Sequence, residues 1–94
     1  MKKSGKFFVY LVSCKTGAFY AGFTVDLKKR LELHNAGRGA KFLRGKGPVE
    51  LVYAKEYRYL KNALKAEINL KKLKRGQKEK LAREYEKKFA TNLG

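Results

Sequence analysis

A chain of 94 residues has room for one domain around a single modest core, and a second domain is excluded. Hydrophobic residues make up 44% and aromatic residues 13%, enough to bury that core, and the apolar run Phe7 to Val12 is far too short to span a bilayer or to serve as the apolar part of a signal peptide. The reading is a soluble globular domain over residues 1–94, its core about 7–89, placed in the cytoplasm. Twenty-four Lys and Arg against eight Asp and Glu give a net charge of +16. Such a protein attracts polyanions, and nucleic acid is the commonest of these, because each phosphate neutralised releases condensed counterions. An anionic membrane would prefer a basic amphipathic helix with a strong apolar face, so no membrane partner is expected.

In chain order, Met1 to Lys6 is a basic lead-in and Phe7 to Val12 reads as a buried strand. The "CKTG" turn returns the chain through Ala18 to Phe23, so the two strands form an antiparallel hairpin. Cys14 is the only cysteine, which excludes an intrachain disulfide and a cysteine zinc cluster; as a nucleophile it would need His34, the only histidine, as its base. Gly22 marks the end of the second strand or a close backbone approach. "TVDLKKRLELHN" predicts a helix over Val25 to Ala36, with Thr24 or Asp26 as the N-cap and Leu27, Arg30, Leu31 and His34 on one stripe.

"AGRGAKFLRGKGP", Ala36 to Pro48, reads as a glycine-rich basic loop with a short helical turn around Lys41 to Leu43. Its cations Arg38, Lys41, Arg44 and Lys46, together with Lys28 and Lys29, either contact a nucleic-acid backbone or simply keep the surface wet. Pro48 to Tyr57 predicts a third strand, with Pro48 at its start. A helix follows from Tyr59 to about Lys74, and a break near Arg75 and Gly76 leads to another from Gln77 to about Phe89. Leu60, Ala63, Leu64 and Ile68 give the first of these its apolar stripe, with Glu67 inside it; Leu81, Tyr85 and Phe89 form the core-closing ridge of the second. A buried carboxylate at Glu67 needs a cation to compensate it.

"VYL" around Tyr10, "FYAG" around Tyr20, "TVDLKKRLELHN" and the later "ALKAE" together resemble the GIY-YIG nuclease family, in particular its small stand-alone members. The resemblance runs from about Phe7 to Ala82. It implies an α+β fold, a three-stranded antiparallel sheet flanked by helices in the order β-β-α-β-α-α. It also implies a divalent-metal-dependent endonuclease that hydrolyses DNA phosphodiesters, with branched or damaged DNA in repair or recombination as the structural preference. The family's site residues fall on Tyr10, Tyr20, Arg30, His34 and Glu67, with Glu67 the ligand of one Mg²⁺ or Mn²⁺ and no small-molecule cofactor. The first motif half here reads Phe8-Val9-Tyr10 and the second Tyr20-Ala21-Gly22; both keep the phenol.

The chemistry agrees with those roles. Glu67 offers hard oxygen to a cation that would stay largely hydrated. Arg30 can hold a phosphate oxygen bidentately as negative charge develops. Tyr10 is the candidate general base, which requires cationic neighbours or a hydrogen bond to His34 because a free phenol titrates near pKa 10, and Tyr20 would orient the water or the phosphate. Each residue has a plainer alternative: strand tyrosines pack in cores, a lone helix histidine such as His34 is a surface or satisfied packing residue, Arg30 belongs to a solvated basic run, and Glu67 can pair with Lys71 one turn on. A binding module on the same scaffold with weak or no catalysis is the alternative function, and a basic RNA-associated protein is a third reading without a recognisable RNA-binding motif.

Overall fold

The structure, a computed structural model, describes residues 4–45 and 47–93, with side chains throughout except at 4, 42 and 89–93. Strands β1 (Ser4–Ser13) and β2 (Phe19–Thr24) are followed by helix α1 (Leu27–Asn35), a 3₁₀ turn (Lys41–Leu43), strand β3 (Glu50–Tyr59) and helices α2 (Leu60–Lys72) and α3 (Arg75–Leu93). This is the expected α+β order. The sheet is antiparallel with β1 in the centre, β2 and β3 flanking it. Tyr10 of β1 therefore lies between Gly22 of β2 and Ala54 of β3.

The central place of β1 explains its uninterrupted apolar run. A strand covered on both faces has no reason to alternate with polar residues, and Val9, Tyr10, Leu11 and Val12 are all at most 2% exposed. Val9 and Leu11 point to one side, where with Ala21 they pack against Ala63 and Leu70 of α2 and half-buried Leu81 of α3. Tyr10 and Val12 point to the other, where Leu27 and Leu31 of α1 and Leu43 of the 3₁₀ turn cover them. Between Leu11 and Val12 the register with β3 slips from Tyr53 to Leu51, leaving Val52 as the extra residue of a bulge.

Several boundaries move by one to three residues. β3 starts at Glu50 rather than Pro48, and α3 starts at Arg75 with Gly76 inside its first turn, so the chain breaks at Leu73 and Lys74 instead. The larger correction concerns the apolar stripe of α2. Leu60, Leu64 and Ile68 are 43%, 41% and 53% exposed, and the buried line is Ala63 and Leu70, flanked by half-buried Ala66 and Leu73. Size misled the periodicity argument: alanine at 63 and 66 lets the helix axis settle close to the sheet, and the branched residues one position on are carried to its flank. Glu67 remains half-buried beside that line. Phe89 of the predicted α3 ridge lies outside the described side chains, while Leu81 joins the core and Tyr85 meets Tyr53 edge-on at 5.6 Å.

In urea unfolding, Leu70→Ala is expected to cost about 2–4 kcal/mol through the cavity it leaves, and Leu64→Ala under about 1 kcal/mol. The reverse order would restore the sequence-based stripe.

Candidate nucleic-acid active site

Helix α1 begins as soon as β2 ends. Asp26 caps it, its carboxylate accepting from the Lys29 amide at 3.1 Å, and the Thr24 hydroxyl accepts from the Asp26 amide at 3.1 Å. That start fixes the phase of the helix, so its inward stripe of Leu27, Leu31 and His34 falls on the Tyr10 face of the sheet. At the other end Gly37 adopts φ +76°, its amide bonds the His34 carbonyl and the Arg38 amide bonds the Leu33 carbonyl. This is a Schellman closure, which turns the chain back over the helix end. Gly39 and Ala40 thereby pass against the His34 ring, whose Nδ1 accepts from the Ala40 amide at 3.2 Å. Asn35 secures the same loop from below through both its amide atoms, bonding Val49 N–H at 2.7 Å and Val49 C=O at 3.4 Å.

Three of the five predicted site residues meet directly. The Tyr10 hydroxyl lies 2.8 Å from His34 Nε2, both residues being buried. Tyr20 completes an aromatic trio, its ring centroid 6.5 Å from Tyr10 and 5.7 Å, edge-on, from His34. Two glycines make room for the trio. A Cβ on Gly22 would stand 2.5 Å from the Tyr10 hydroxyl, so the close approach anticipated at Gly22 is that of a phenol rather than of backbone, and a Cβ on Gly39 would overlap the His34 ring at Nδ1. Sequence reading missed Gly39, Ala40 and Asn35. The available signal was the second glycine of "AGRG", too many for a helix cap alone.

Arg30 and Glu67 reach the trio electrostatically. Burial pushes the Tyr10 hydroxyl well above its ordinary pKa of 10; proximity to Tyr20 adds to this, Arg30 opposes it, and the Glu67 carboxylate raises it further. Burial, and after it Arg30, hold His34 below its ordinary value of 6.5, so the imidazole is neutral at pH 7. Helix α2 packs on the opposite sheet face from α1, and β2 and β3 are the two edge strands. Glu67, on α2, acts on Tyr10 through its charge. Its carboxylate, 19% exposed, is engaged by Lys71 at 3.2 Å.

Lys28, Lys29, Arg38, Lys41 and Arg44 are all exposed, on α1 and on the loop that follows it; Lys46 lies outside the described residues. No group of three or more His, Cys, Asp and Glu able to hold a metal ion occurs among the described residues. One carboxylate fits only a cation that keeps most of its water, and Lys71 would have to yield to it. Cys14 is buried at the end of β1. A groove of about 490 Å³ between β3 and α3, lined by Tyr53, Lys55, Leu81, Glu84 and Tyr85, opens on the sheet face away from the trio.

Residues 6–82 match the family model described as the GIY-YIG catalytic domain. The chain belongs to the GIY-YIG family. It is 42% identical to a UPF0213 protein of Streptococcus pneumoniae serotype 4 over 84% of this chain and 80% of that protein. With the UPF0213 protein YazA of Bacillus subtilis the identity is 46%, over 77% of this chain and 73% of that one. Two solution NMR structures share its fold: a UPF0213 protein from Bacillus halodurans, 37% identical with TM-score 0.54 over 83% of each chain, and a protein from E. faecalis, 35% identical with TM-score 0.57 over 97% of this chain and 93% of that one. No helix among the described residues is long and apolar enough to cross a membrane.

The depressed pKa of His34 links folding to pH. Below about pH 6.5 the unfolded chain binds a proton that the native ring refuses, so this contribution is complete above 6.5 and is lost as pH falls through the lower native value. The wild-type unfolding midpoint should therefore fall on acidification below about pH 6.5 more steeply than that of His34→Gln, and parallel profiles would remove His34 as the cause.

Proposed function

We propose that this chain is a divalent-metal-dependent DNA endonuclease that hydrolyses phosphodiester bonds. The observation that carries the reading is the Tyr10 hydroxyl held by His34 against Tyr20, under the charges of Arg30 and Glu67, in a GIY-YIG chain of net charge +16. Hydrolysis needs an aligned water, relief of charge on the phosphoryl oxygens and help for the leaving alkoxide. Arg30 supplies a bidentate clamp for a phosphoryl oxygen. Tyr10 is the general base and Tyr20 orients the water or the phosphate. Glu67 would hold one Mg²⁺ or Mn²⁺. When bound, that ion would supply charge stabilisation at the phosphate. Lys28, Lys29, Arg38, Lys41, Arg44 and Lys46 grip the backbone of the DNA, with branched or damaged DNA the preferred form. A cytoplasmic location belongs to the same reading.

Two observations favour a second reading, a DNA-binding module with little or no catalysis. Tyr10 is only 1% exposed with its pKa raised, and Glu67 is already paired with Lys71. The two readings part in cleavage assays with Mg²⁺ or Mn²⁺ on plasmid, single-stranded and branched DNA. The enzyme reading expects Glu67→Ala and Tyr10→Phe each to lose roughly 100-fold or more; wild type cutting no better than Glu67→Ala leaves the binding module. In either case Lys41→Gln with Arg44→Gln should flatten the slope of log affinity against log salt by about 2, near 0.9 per lost phosphate contact. A stronger hold on RNA than on DNA of equal length would overturn the choice of partner.

A further inference from the structure

His34 has both ring nitrogens engaged, and the two bonds differ in what they permit. A backbone amide can only donate, so the Ala40 N–H at 3.2 Å requires a lone pair on Nδ1. A neutral imidazole carries one N–H, which must then sit on Nε2, the atom 2.8 Å from the Tyr10 hydroxyl oxygen. The remaining bond has only one sense: Nε2–H donates and Tyr10 accepts. The Tyr10 proton points away from His34.

From this we infer that Gly39 and Ala40 are positioning residues that lock His34 in its Nε2–H form, making it a fixed hydrogen-bond donor to the Tyr10 oxygen and not the acceptor of its proton. The device is local and has three parts. Gly37 closes α1 with φ +76° and brings the chain back across the helix end. Gly39 passes against the ring, where any side chain would overlap Nδ1. Ala40 then presents its amide to that nitrogen. A donor aimed at the phenol oxygen favours its charged form, so the loop prepares Tyr10 to act while leaving His34 chemically silent. The functional half of this statement rests on the endonuclease reading; the tautomer does not.

His34 is the only histidine, so a long-range ¹H–¹⁵N correlation spectrum of the imidazole, recorded on the full chain above pH 7, reports it without assignment. The expected pattern is Nδ1 at the unprotonated and Nε2 at the protonated nitrogen position. The opposite pattern, or the averaged shifts of a mixed population, overturns the lock. In Gly39→Ala the shifts should move toward the mixture; a folded Gly39→Ala with wild-type shifts removes Gly39 from the device, and if that variant does not fold the wild-type spectrum still decides the tautomer. For function, Gln at 34 keeps an N–H donor without a base, whereas Leu keeps neither. His34→Gln should cut DNA at least about tenfold faster than His34→Leu, and equal losses would sink the donor role. Absence of wild-type cleavage would instead count against the endonuclease reading and leave the spectrum to judge the lock.

Discussion

The buried hydrogen bond between Tyr10 and His34 is the contact on which this small structure turns. It joins the centre of the sheet to the end of α1, the two parts that any site on this face must bring together. A buried phenol or imidazole without a partner would cost about 1–3 kcal/mol, so each ring needs the other. Neighbouring features fit around that need. Gly22 leaves space for the phenol, Gly39 leaves space for the imidazole, and the Ala40 amide satisfies the second ring nitrogen.

Seen this way, the two tyrosines of the hairpin are core residues and candidate site residues at once. The core occupies both faces of β1, and the rings of Tyr10, Tyr20 and His34 meet on the α1 side. The α1 half, with Tyr10 and His34 buried in it, is dry enough to strengthen every charge near it. That dryness also restrains Tyr10, whose proton is held more tightly than that of a free phenol. Positive charge is the lever that can loosen it. Arg30 supplies some of it within the fold, and Lys28, Lys29, Arg38, Lys41 and Arg44 stand exposed on α1 and the loop that follows it.

Glu67 is held in a different manner. It stands on the helix that covers the other face of the sheet, half-buried beside the Ala63 and Leu70 line, and its charge acts on Tyr10. Its neighbour Lys71 neutralises it at rest. The candidate site thus joins a buried half, held by hydrogen bonds, to a half-buried carboxylate paired with Lys71.

The sequence by itself carried the element order, the hairpin, an N-cap at Thr24 or Asp26 and a short helical turn around Lys41 to Leu43, because turn chemistry, capping and strand patterning are local and written in adjacent residues. Family motifs carried the five candidate residues. Tertiary structure decided what periodicity could not: that α2 buries Ala63 and Leu70 instead of Leu64 and Ile68, since only the sheet it rests on determines how close the helix comes. It also decided that Gly22 makes room for Tyr10 of the neighbouring strand and Gly39 for His34 of the helix just before it, and that His34 is bonded on both sides. Those contacts join Tyr10 to His34 across 24 positions of chain, and a separation of that kind leaves no periodic trace for a sequence reader to follow.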